Sequence, residues 1–512
     1  MRNHGVGSWP ARRGRAAGAR TAVVHAGRAA AYRELDERSR RVAHALEERG
    51  VAKGDRIAYL GANRPEFLEA MFGAALLGAV FTPFNTRLAF AELEVLAADS
   101  APVLLVADAD RRGDAEALYG AGLVGGFLVV GGDQVRGGEQ DLERAVATAP
   151  SGEIDRPVEL DDPFLLLYTS GSTGRPKGVV LTHGNVTWNC VNSVVDTDLL
   201  STDTALVSAP MFHTAALNML CLPVLLKGGR LLLEERFDAE RSLDLIEQEG
   251  VTVMFGVPAM YESIARSPRW QEADLSGLRL LMCGGAPVPP PLIELYMARG
   301  LAFVQGYGLT EAAPGALMLP VADCGNKAGS AGVAAFFTDV RTAEPGPGPS
   351  EVLVEGPNVT PGYRNRPDET AAALREGWLH TGDAAEVDGD GYFRIVDRVK
   401  DMYVTGGENV YPAEVEAALA AHPAVRECAV VGVPDGTWGE AGAAVVVPAS
   451  DHRPDPSELR RFLGERLARY KIPVSFDFAG ALPRSGVGKI DKKALRARLD
   501  GARTGDRGPS GP

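Results

Sequence analysis

Short apolar runs alternate with amphipathic stretches along most of the chain. Runs of strand length occur at residues 56–60, 103–107, 127–130, 164–168, 205–208, 251–255 and 278–283. Between them, apolar residues recur at three- and four-residue spacing, which predicts helices at residues 32–49, 64–77, 243–248 and 291–299. Strands that alternate with helices are typical of an α/β fold with largely parallel sheets.

The pattern changes after a Pro/Gly-rich loop at residues 342–350. Short strands follow at 351–355 and 392–396, and a glycine-rich, charged stretch covers 397–408. A smaller unit comes next, with predicted helices at 413–420 and 457–470 and predicted strands at 428–433 and 443–447. We therefore expect a large domain of about 400 residues, a C-terminal domain of about 100, and a disordered tail rich in Gly, Pro and Ser.

Composition narrows the class of protein. The chain has 512 residues, 45% hydrophobic and 23% charged, which is ordinary for a globular enzyme of more than one packed unit. Its formal net charge of −14 makes a general nucleic-acid binder a poor candidate. The five cysteines are scattered and form no Cys-x-x-Cys pair, which argues against a disulfide scaffold or a structural zinc site and favours buried thiols.

The N-terminus bears on the compartment. Arg12, Arg13 and Arg15 are not followed by an apolar segment of the kind that a secretory signal needs. The longest apolar run, at residues 70–81, is too short to span a bilayer. A cytoplasmic protein is therefore expected, with contact between the early arginines and an anionic membrane surface left open.

One loop stands out chemically. The apolar run at 164–168 leads into Thr169-Ser170-Gly171-Ser172-Thr173-Gly174-Arg175-Pro176-Lys177-Gly178. Glycines let backbone N–H groups close on an anion, hydroxyls add donors, and an ammonium adds charge. Lys177 is one of nine lysines against 44 arginines, so its position is informative. Since Pro-Lys-Gly stands where a Walker A loop has Gly-Lys-Ser/Thr, the usual nucleotide triphosphatase is disfavoured, and we predict a phosphate-binding loop of another kind.

This loop resembles the signature of the AMP-forming adenylate ligases, the superfamily of acyl-CoA synthetases, peptide-synthetase adenylation domains and luciferases. Six further stretches resemble the superfamily's other motifs, in the same order, at residues 284–287, 305–311, 377–383, 397–401, 406–412 and 483–489. The segment 55–87 is also similar, so the resemblance covers nearly the whole chain. The likeness is greatest to fatty-acid and aryl acyl-CoA ligases of the bacterial long-chain type.

The resemblance implies an architecture and a reaction. The expected fold is α/β: a large N-terminal domain (1–399) of parallel-sheet subdomains plus a β-barrel-like part, a small mobile α+β domain (400–502), and the tail (503–512). The expected reaction uses ATP and Mg²⁺ to convert a carboxylic acid into an acyl-adenylate with release of pyrophosphate. Coenzyme A then takes the acyl group and AMP is released.

The resemblance also implies residue roles in binding ATP. The β- and γ-phosphates would be bound by Thr169, Ser170, Gly171, Ser172, Thr173, Gly174 and Lys177. Adenine would lie between Tyr307 and the wall formed by Gly285, Ala286 and Pro287. Thr310 would contact the α-phosphate, Glu311 would bind magnesium as a hard oxygen ligand, and Asp383 and Arg398 would hold the ribose.

Further roles concern the acid and the second half-reaction. Lys489 would bridge the attacking carboxylate and the α-phosphate, and His213 would lie near the acyl carboxylate. Lys400 would be the hinge about which the small domain turns, exchanging the Lys489 loop for Gly406, Gly407 and Glu408 in the thioester step. Such an exchange lets one pocket serve two reactions.

The substrate and the acceptor are less closely defined. Walls of the acyl pocket are expected at 188–195, 213–220, 255–260 and 283–287, which are mostly apolar with several asparagines. Peptide-synthetase relatives bind an amino group through an Asp in the region matching 212–217, where this chain has no acidic residue, so a fatty or aryl acid is favoured. Two alternatives remain open. One is an acceptor other than CoA, such as a carrier-protein thiol, an amine or another nitrogen nucleophile, and the other is a degenerate homologue that acts as a binding module.

Overall fold

The computed structural model describes residues 2–505 apart from 132–140, 171–175, 287, 345, 347, 399–400, 406–407, 436–438, 451–452, 468 and 486–487. The strands, in chain order, are β1 (Thr21–His25), β2 (Arg28–Ala31), β3 (Arg56–Leu60), β4 (Val80–Pro83), β5 (Leu104–Asp108), β6 (Phe127–Val130), β7 (Pro163–Ser170), β8 (Pro176–Thr182), β9 (Thr204–Val207), β10 (Arg230–Leu233), β11 (Val253–Gly256), β12 (Leu280–Cys283), β13 (Phe303–Gly308), β14 (Gly315–Met318), β15 (Val333–Ala334), β16 (Asp339–Thr342), β17 (Ser350–Glu355), β18 (Gly362–Tyr363), β19 (Leu374–Arg375), β20 (Trp378–Val387), β21 (Phe393–Arg398), β22 (Tyr403–Thr405), β23 (Glu408–Val410), β24 (Val425–Asp435), β25 (Gly439–Pro448) and β26 (Ser475–Phe478).

The helices, in chain order, are α1 (Trp9–Ala17), α2 (Tyr32–Glu47), α3 (Pro65–Leu77), α4 (Phe90–Ser100), α5 (Arg112–Gly120), α6 (Leu142–Thr148), α7 (His183–Asp196), α8 (Leu222–Lys227), α9 (Ala239–Glu249), α10 (Pro258–Ala265), α11 (Pro290–Met297), α12 (Pro367–Ala373), α13 (Pro412–Ala420), α14 (Pro456–Gly464) and α15 (Lys492–Gly505). A π-helix at Ala215–Cys221 precedes α8. The helices and strands expected from hydrophobic spacing are thus confirmed, with differences at two C-terminal helices.

Both differences concern where a helix ends. The helix predicted at 457–470 was wrong in length, because α14 ends at Gly464, a residue type of low helix propensity. In the other direction, α15 runs to Gly505 and so occupies the first three residues of the predicted tail at 503–512. The remainder of that tail lies outside the described residues.

The chain divides into two compact units. The first consists of Met1–Arg341, Leu353–Thr381 and Asp388–Phe393, and the second of Thr342–Val352, Gly382–Val387 and Arg394–Pro512. The predicted hinge, Lys400, lies outside the described residues. The domain boundary at residue 400 therefore stays a prediction.

The first unit contains two mixed sheets. One has the order β15–β14–β13–β12–β11–β9–β10–β1–β2, in which the strands from β13 to β1 are parallel. The other has the order β18–β8–β7–β4–β3–β5–β6, with β7, β4, β3, β5 and β6 parallel and β8 antiparallel to β7. The predicted α/β class with parallel sheets is confirmed.

Helix α3 illustrates how the core of this unit forms. It begins with Pro65, whose ring suits the first helical turn, and ends before Gly78, which adopts the left-handed conformation at φ 73°. Residues 67–77 are all buried. The apolar run noticed at 70–81 is therefore a core helix followed by the buried strand β4. No helix among the described residues is long and apolar enough to cross a membrane.

The remaining sheets lie farther along the chain. Strands within 339–398 form a sheet in the order β16–β17–β20–β19, with β21 beside β20. The β-barrel-like part expected in the N-terminal domain stays a prediction. The second unit has a sheet in the order β23–β22–β25–β24, with β26 parallel to β25. All five cysteines of the chain are buried, as expected.

His183 is a buried titratable residue that packs in the core of the first unit. His183, the first residue of α7, is fully buried and stacks on Phe164 with ring centroids 4.7 Å apart. Its Nδ1 accepts a hydrogen bond from the backbone N–H of Val6 at 3.1 Å. Burial lowers the pKa of His183 from 6.5 to about 3, although Asp162 acts in the opposite direction. The folded chain therefore holds this imidazole neutral.

We expect His183 to make stability depend on pH below its unfolded pKa. The folded pKa lies below the unfolded one, so protonation favours the unfolded chain. The contribution of the His183 side chain to the free energy of unfolding is therefore complete above pH 6.5 and is lost as the pH falls. Between pH 7.5 and 5 the loss is about 2 kcal/mol. In urea unfolding, His183→Gln should be less stable than wild type at pH 7.5, with the difference smaller by that amount at pH 5. The exposed His4→Gln serves as control, and an equal His183→Gln deficit at both pH values would contradict the prediction.

Candidate active site

The carboxyl ends of two neighbouring parallel strands form the centre of the candidate site. Strand β12 pairs with β13 in the register Cys283↔Gln305, so the residues after β12 lie beside the end of β13. The carbonyl oxygen of Gly306 is only 3.0 Å from the point where a side chain on Gly284 would begin. Gly285 and Ala286 are exposed, and Tyr307 is half-buried. The predicted adenine wall and Tyr307 are thus brought to one edge, while Pro287 lies outside the described residues.

A tight turn follows β13 and carries Thr310 and Glu311. Leu309 donates its N–H to the carbonyl oxygen of Pro314 at 3.0 Å, and Thr310 begins a single 3₁₀ turn. That same carbonyl occupies the space beside Gly308, where an added Cβ would lie 1.7 Å from the oxygen. The glycine of this motif is therefore required by a close backbone approach.

The predicted phosphate-binding loop connects two paired strands. Strands β7 and β8 are antiparallel, with Thr169 opposite Lys177 and Ser170 opposite Pro176. The hydroxyl- and glycine-bearing positions Gly171, Ser172, Thr173 and Gly174 lie outside the described residues. Thr169 and the half-buried Lys177 are therefore held where the loop leaves and rejoins the sheet.

A segment that sequence reasoning missed connects Lys177 with Glu311. We call residues 357–370 the bridging segment. Its Tyr363 donates a hydrogen bond from the hydroxyl to Glu311 Oε1 at 2.9 Å, and its ring lies under the Lys177 ammonium, 5.1 Å from the centroid. Glu369 forms an ion pair with Lys177. Tyr363 and Glu369 thus link two residues whose motifs are far apart in sequence.

The backbone of the bridging segment is also fixed. Thr360 donates its N–H to the carbonyl oxygen of Glu311 at 2.7 Å. Tyr363 pairs with Val179 of β8, and its N–H bonds to Thr370 Oγ1 at 2.9 Å. Burial raises the pKa of the Tyr363 phenol, and the nearby Glu311 carboxylate adds to the rise. The phenol therefore stays protonated and able to donate.

His213 and two asparagines, Asn185 and Asn189, come from the segments in or beside the predicted walls of the acyl pocket. His213 is half-buried just before the π-helix, with its ring centroid 4.6 Å from that of Phe212. Asn185 donates to the carbonyl oxygens of residues 357 and 359, both at 2.8 Å, so it secures the bridging segment. Asn189 donates to the carbonyl of Asn218 at 2.8 Å and accepts from the N–H of Gly315 at 2.9 Å. Asn185 and Asn189 therefore join structural elements.

A narrow cavity lies among these elements. It is lined in part by Asn189, Asn192, Ser193 and Met219, which come from two of the predicted pocket walls. Asp196 also lines it, and burial raises the pKa of that carboxyl from 3.8 to about 6. The predicted walls at 188–195 and 213–220 thus meet around one cavity.

The predicted residues of the second unit are described by themselves. Asp383 is half-buried after Gly382, whose N–H donates to Glu351 Oε1 at 3.0 Å. Arg398 ends β21 and Glu408 begins β23, whereas Gly406 and Gly407 lie outside the described residues.

Lys489 is exposed at the base of a tight loop in the same unit. Ser485 donates its N–H to the carbonyl of Lys489 at 2.8 Å, and Gly488 has φ 81°, a conformation that favours glycine. Residues 486 and 487 lie outside the described part. The roles of Lys489, Asp383, Arg398 and Glu408 stay predictions.

Comparison with known proteins identifies the family. A family model described as AMP-binding enzyme matches residues 11–364, and its C-terminal domain model matches 414–489. A feruloyl-CoA synthase of Amycolatopsis is 54% identical over 505 residues, covering 98% of this chain and 100% of the relative. A long-chain-fatty-acid–CoA ligase of Mycobacterium tuberculosis is 39% identical over 474 residues, covering 91% of this chain and 92% of the relative.

Solved structures agree with this assignment. The o-succinylbenzoate CoA synthetase of Bacillus subtilis, in complex with ATP and a magnesium ion, superposes with a TM-score of 0.85 at 31% identity. The match covers 96% of this chain and 99% of that structure. The chain therefore belongs to the AMP-binding enzyme family, and the resemblance inferred from its motifs is confirmed.

The close approach at Gly308 yields a prediction for stability. We expect Gly308→Ala to lower the free energy of unfolding by about 2 kcal/mol, because the methyl group overlaps the Pro314 carbonyl and the turn must shift. Gly306→Ala, in the same motif, is a matched control, since its nearest neighbours would be 3.5 Å away in ordinary contact. Urea unfolding measures both variants. Equal stability of the two would show that the turn at 308–314 is not constrained as described.

Proposed function

We propose that this enzyme is an ATP-dependent ligase that joins an aryl acid to coenzyme A through an acyl-adenylate. The observation that carries the proposal is the 54% identity to a feruloyl-CoA synthase over 98% of the chain. The lower identity, 39%, to a ligase of long-chain fatty acids favours an aryl acid over a fatty acid. The absence of an acidic residue at 212–217 disfavours an amino acid substrate.

The reaction joins two anions, so the site must reduce their repulsion and align them. In the first step a carboxylate oxygen attacks the α-phosphorus, and the bond to pyrophosphate breaks. In the second step the CoA sulfur attacks the acyl carbon, and the bond to AMP breaks. Lys177 and the hydroxyls of Thr169, Ser170, Ser172 and Thr173 would hold the leaving pyrophosphate, while Lys489 would bridge the two reacting groups.

The remaining roles concern nucleotide placement. Tyr307 and the backbone of residues 284–287 would enclose adenine, Thr310 would bond the α-phosphate, and Asp383 and Arg398 would hold the ribose diol. His213 would orient the acid. A turn about Lys400 would then bring the segment 406–408 to the thioester step.

Magnesium fits the donor set around Glu311. A carboxylate oxygen is the hard ligand that Mg²⁺ prefers, and protein sites for this ion commonly use one or two carboxylates together with substrate phosphates. Within the described ranges, no group of three or more His, Cys, Asp or Glu residues is placed to hold a metal ion. Glu311 would therefore hold the ion jointly with ATP phosphates, and the bound ion would neutralise phosphate charge.

The function is tested by incubating the enzyme with ATP, Mg²⁺ and a panel of carboxylic acids, with and without CoA, and reading the products by mass. We expect an aryl-propenoic acid such as ferulate to give an acyl-CoA and AMP, and only bound acyl-adenylate when CoA is omitted. Consumption of ATP that never produces a thioester would point to another acceptor, such as a carrier-protein thiol or an amine. No adenylate with any acid would refute the proposal.

Lys489 provides a test at the residue level. We expect Lys489→Ala to lower the rate of acid-dependent ATP–pyrophosphate exchange by about 100-fold or more, because the ammonium offsets charge that develops between the two anions. Lys493→Ala removes another exposed lysine nearby and should leave the rate within about twofold. Exchange at the wild-type rate in Lys489→Ala would remove this residue from the reaction.

A further inference from the structure

Tyr363 makes two contacts that no motif of the chain anticipates. Its hydroxyl donates to the Glu311 carboxylate at 2.9 Å, and its ring face lies 5.1 Å from the Lys177 ammonium. The second distance is within the range of roughly 6 Å for cation–π attraction. One half-buried side chain therefore contacts both the proposed magnesium ligand and the proposed phosphate-binding lysine.

The backbone around Tyr363 makes this contact stiff. Strand β18 pairs Tyr363 with Val179 and Gly362 with Val180, on the strand that also carries Lys177. Thr360, three residues earlier, bonds to the carbonyl of Glu311. The backbone that carries the ring therefore cannot move relative to β8 or to the Glu311 turn without loss of main-chain hydrogen bonds. From this fixed backbone the side chain reaches both the carboxylate and the ammonium.

The charges of Glu311 and Lys177 explain why a tyrosine suits position 363. An Asp or Glu in place of Tyr363 would repel Glu311, and a Lys or Arg would compete with Lys177 for its partners. A neutral phenol supplies a donor to the carboxylate and an electron-rich face to the ammonium at once. Glu369 pairs with Lys177 from the side of α12, so the ammonium is held by a face and a carboxylate.

We propose that Tyr363 is a positioning residue that presents the Glu311 carboxylate to the magnesium ion of MgATP and holds Lys177 at a fixed distance from it. This inference rests on the proposed function, since it takes Glu311 and Lys177 as ligands of MgATP. Groups that orient a metal ligand from behind commonly change metal affinity by about 10-fold or more when removed. The hydroxyl and the ring have separable effects, because the hydroxyl acts on Glu311 and the ring on Lys177.

The chain contains a matched control. Tyr392 donates its hydroxyl to Asp323 Oδ2 at 2.6 Å, and its ring lies 4.7 Å from the Lys327 ammonium. This trio also joins a phenol to a carboxylate and an ammonium, with Asp323 in the place of a Glu, but it includes none of the predicted site residues. Tyr392→Phe therefore reports the general effect of removing a tyrosine hydroxyl from such a trio.

The experiment measures ATP binding by titration calorimetry, in saturating magnesium and in EDTA, for wild type, Tyr363→Phe, Tyr363→Leu and Tyr392→Phe. We expect Tyr363→Phe to reduce the magnesium enhancement of ATP affinity by about 10-fold, with affinity in EDTA within about twofold of wild type. Tyr363→Leu, which also lacks the ring, should in addition weaken binding in EDTA. Tyr392→Phe should match wild type in both conditions.

Two results would overturn the inference. Either Tyr363→Phe behaves like Tyr392→Phe, or it weakens ATP binding equally with and without magnesium, as a purely structural loss would. Thermal unfolding of each variant identifies the second case, because a structural loss lowers the melting temperature together with both affinities. Failure of the proposed function appears separately, as an absence of ATP binding by wild type, and would overturn the inference as well.

Discussion

The register between β12 and β13 is the constraint on which the candidate site depends. Because these strands are parallel neighbours, the residues that follow β12 must lie beside the end of β13. The backbones approach so closely there that a side chain on Gly284 would require movement of the Gly306 carbonyl. An exposed backbone surface at Gly285 and Ala286 beside Tyr307 follows from this register.

A second sheet of the same unit carries Lys177. Strands β7 and β8 hold the ends of the phosphate loop, and the bridging segment connects β8 with the turn that carries Glu311. The bridging segment makes this connection through main-chain hydrogen bonds at residues 360 and 363 and through side-chain contacts of Tyr363 and Glu369. These contacts fix the spacing between Lys177 and Glu311, the two residues that the proposed function assigns to the phosphates and to magnesium.

Much of the fold follows from local patterns, and so do the motif residues of the site. The apolar runs matched strands within a few residues because the parallel strands are buried on both faces and so read as continuous runs. The helix predicted at 457–470 failed because Leu467 packs against the second unit's core after α14 has ended, so apolar spacing continued past the helix. Residues 503–505 remained helical because Leu495 and Leu499 secure α15 to that unit.

Tyr363 and Glu369 were beyond the reach of sequence reasoning for a different reason. Neither lies in a pattern of glycines, hydroxyls or lysines, and their importance comes from β18 joining the edge of a sheet whose other strands are distant in sequence. The asparagines in and beside the predicted pocket walls are a second case in which the sequence assigned no role. Asn185 and Asn189 make hydrogen bonds that join the surrounding elements.

The transfer of oxygen from acid to nucleotide tests the central claim most directly. The enzyme is incubated with ATP, Mg²⁺, CoA and ferulate that carries ¹⁸O in both carboxylate oxygens. The mass of the released AMP is then measured by mass spectrometry. Attack of the carboxylate on the α-phosphorus predicts AMP that carries one ¹⁸O atom, because the bridging oxygen leaves with the phosphate when sulfur takes the acyl group. AMP free of label, formed together with the thioester, would contradict the acyl-adenylate route.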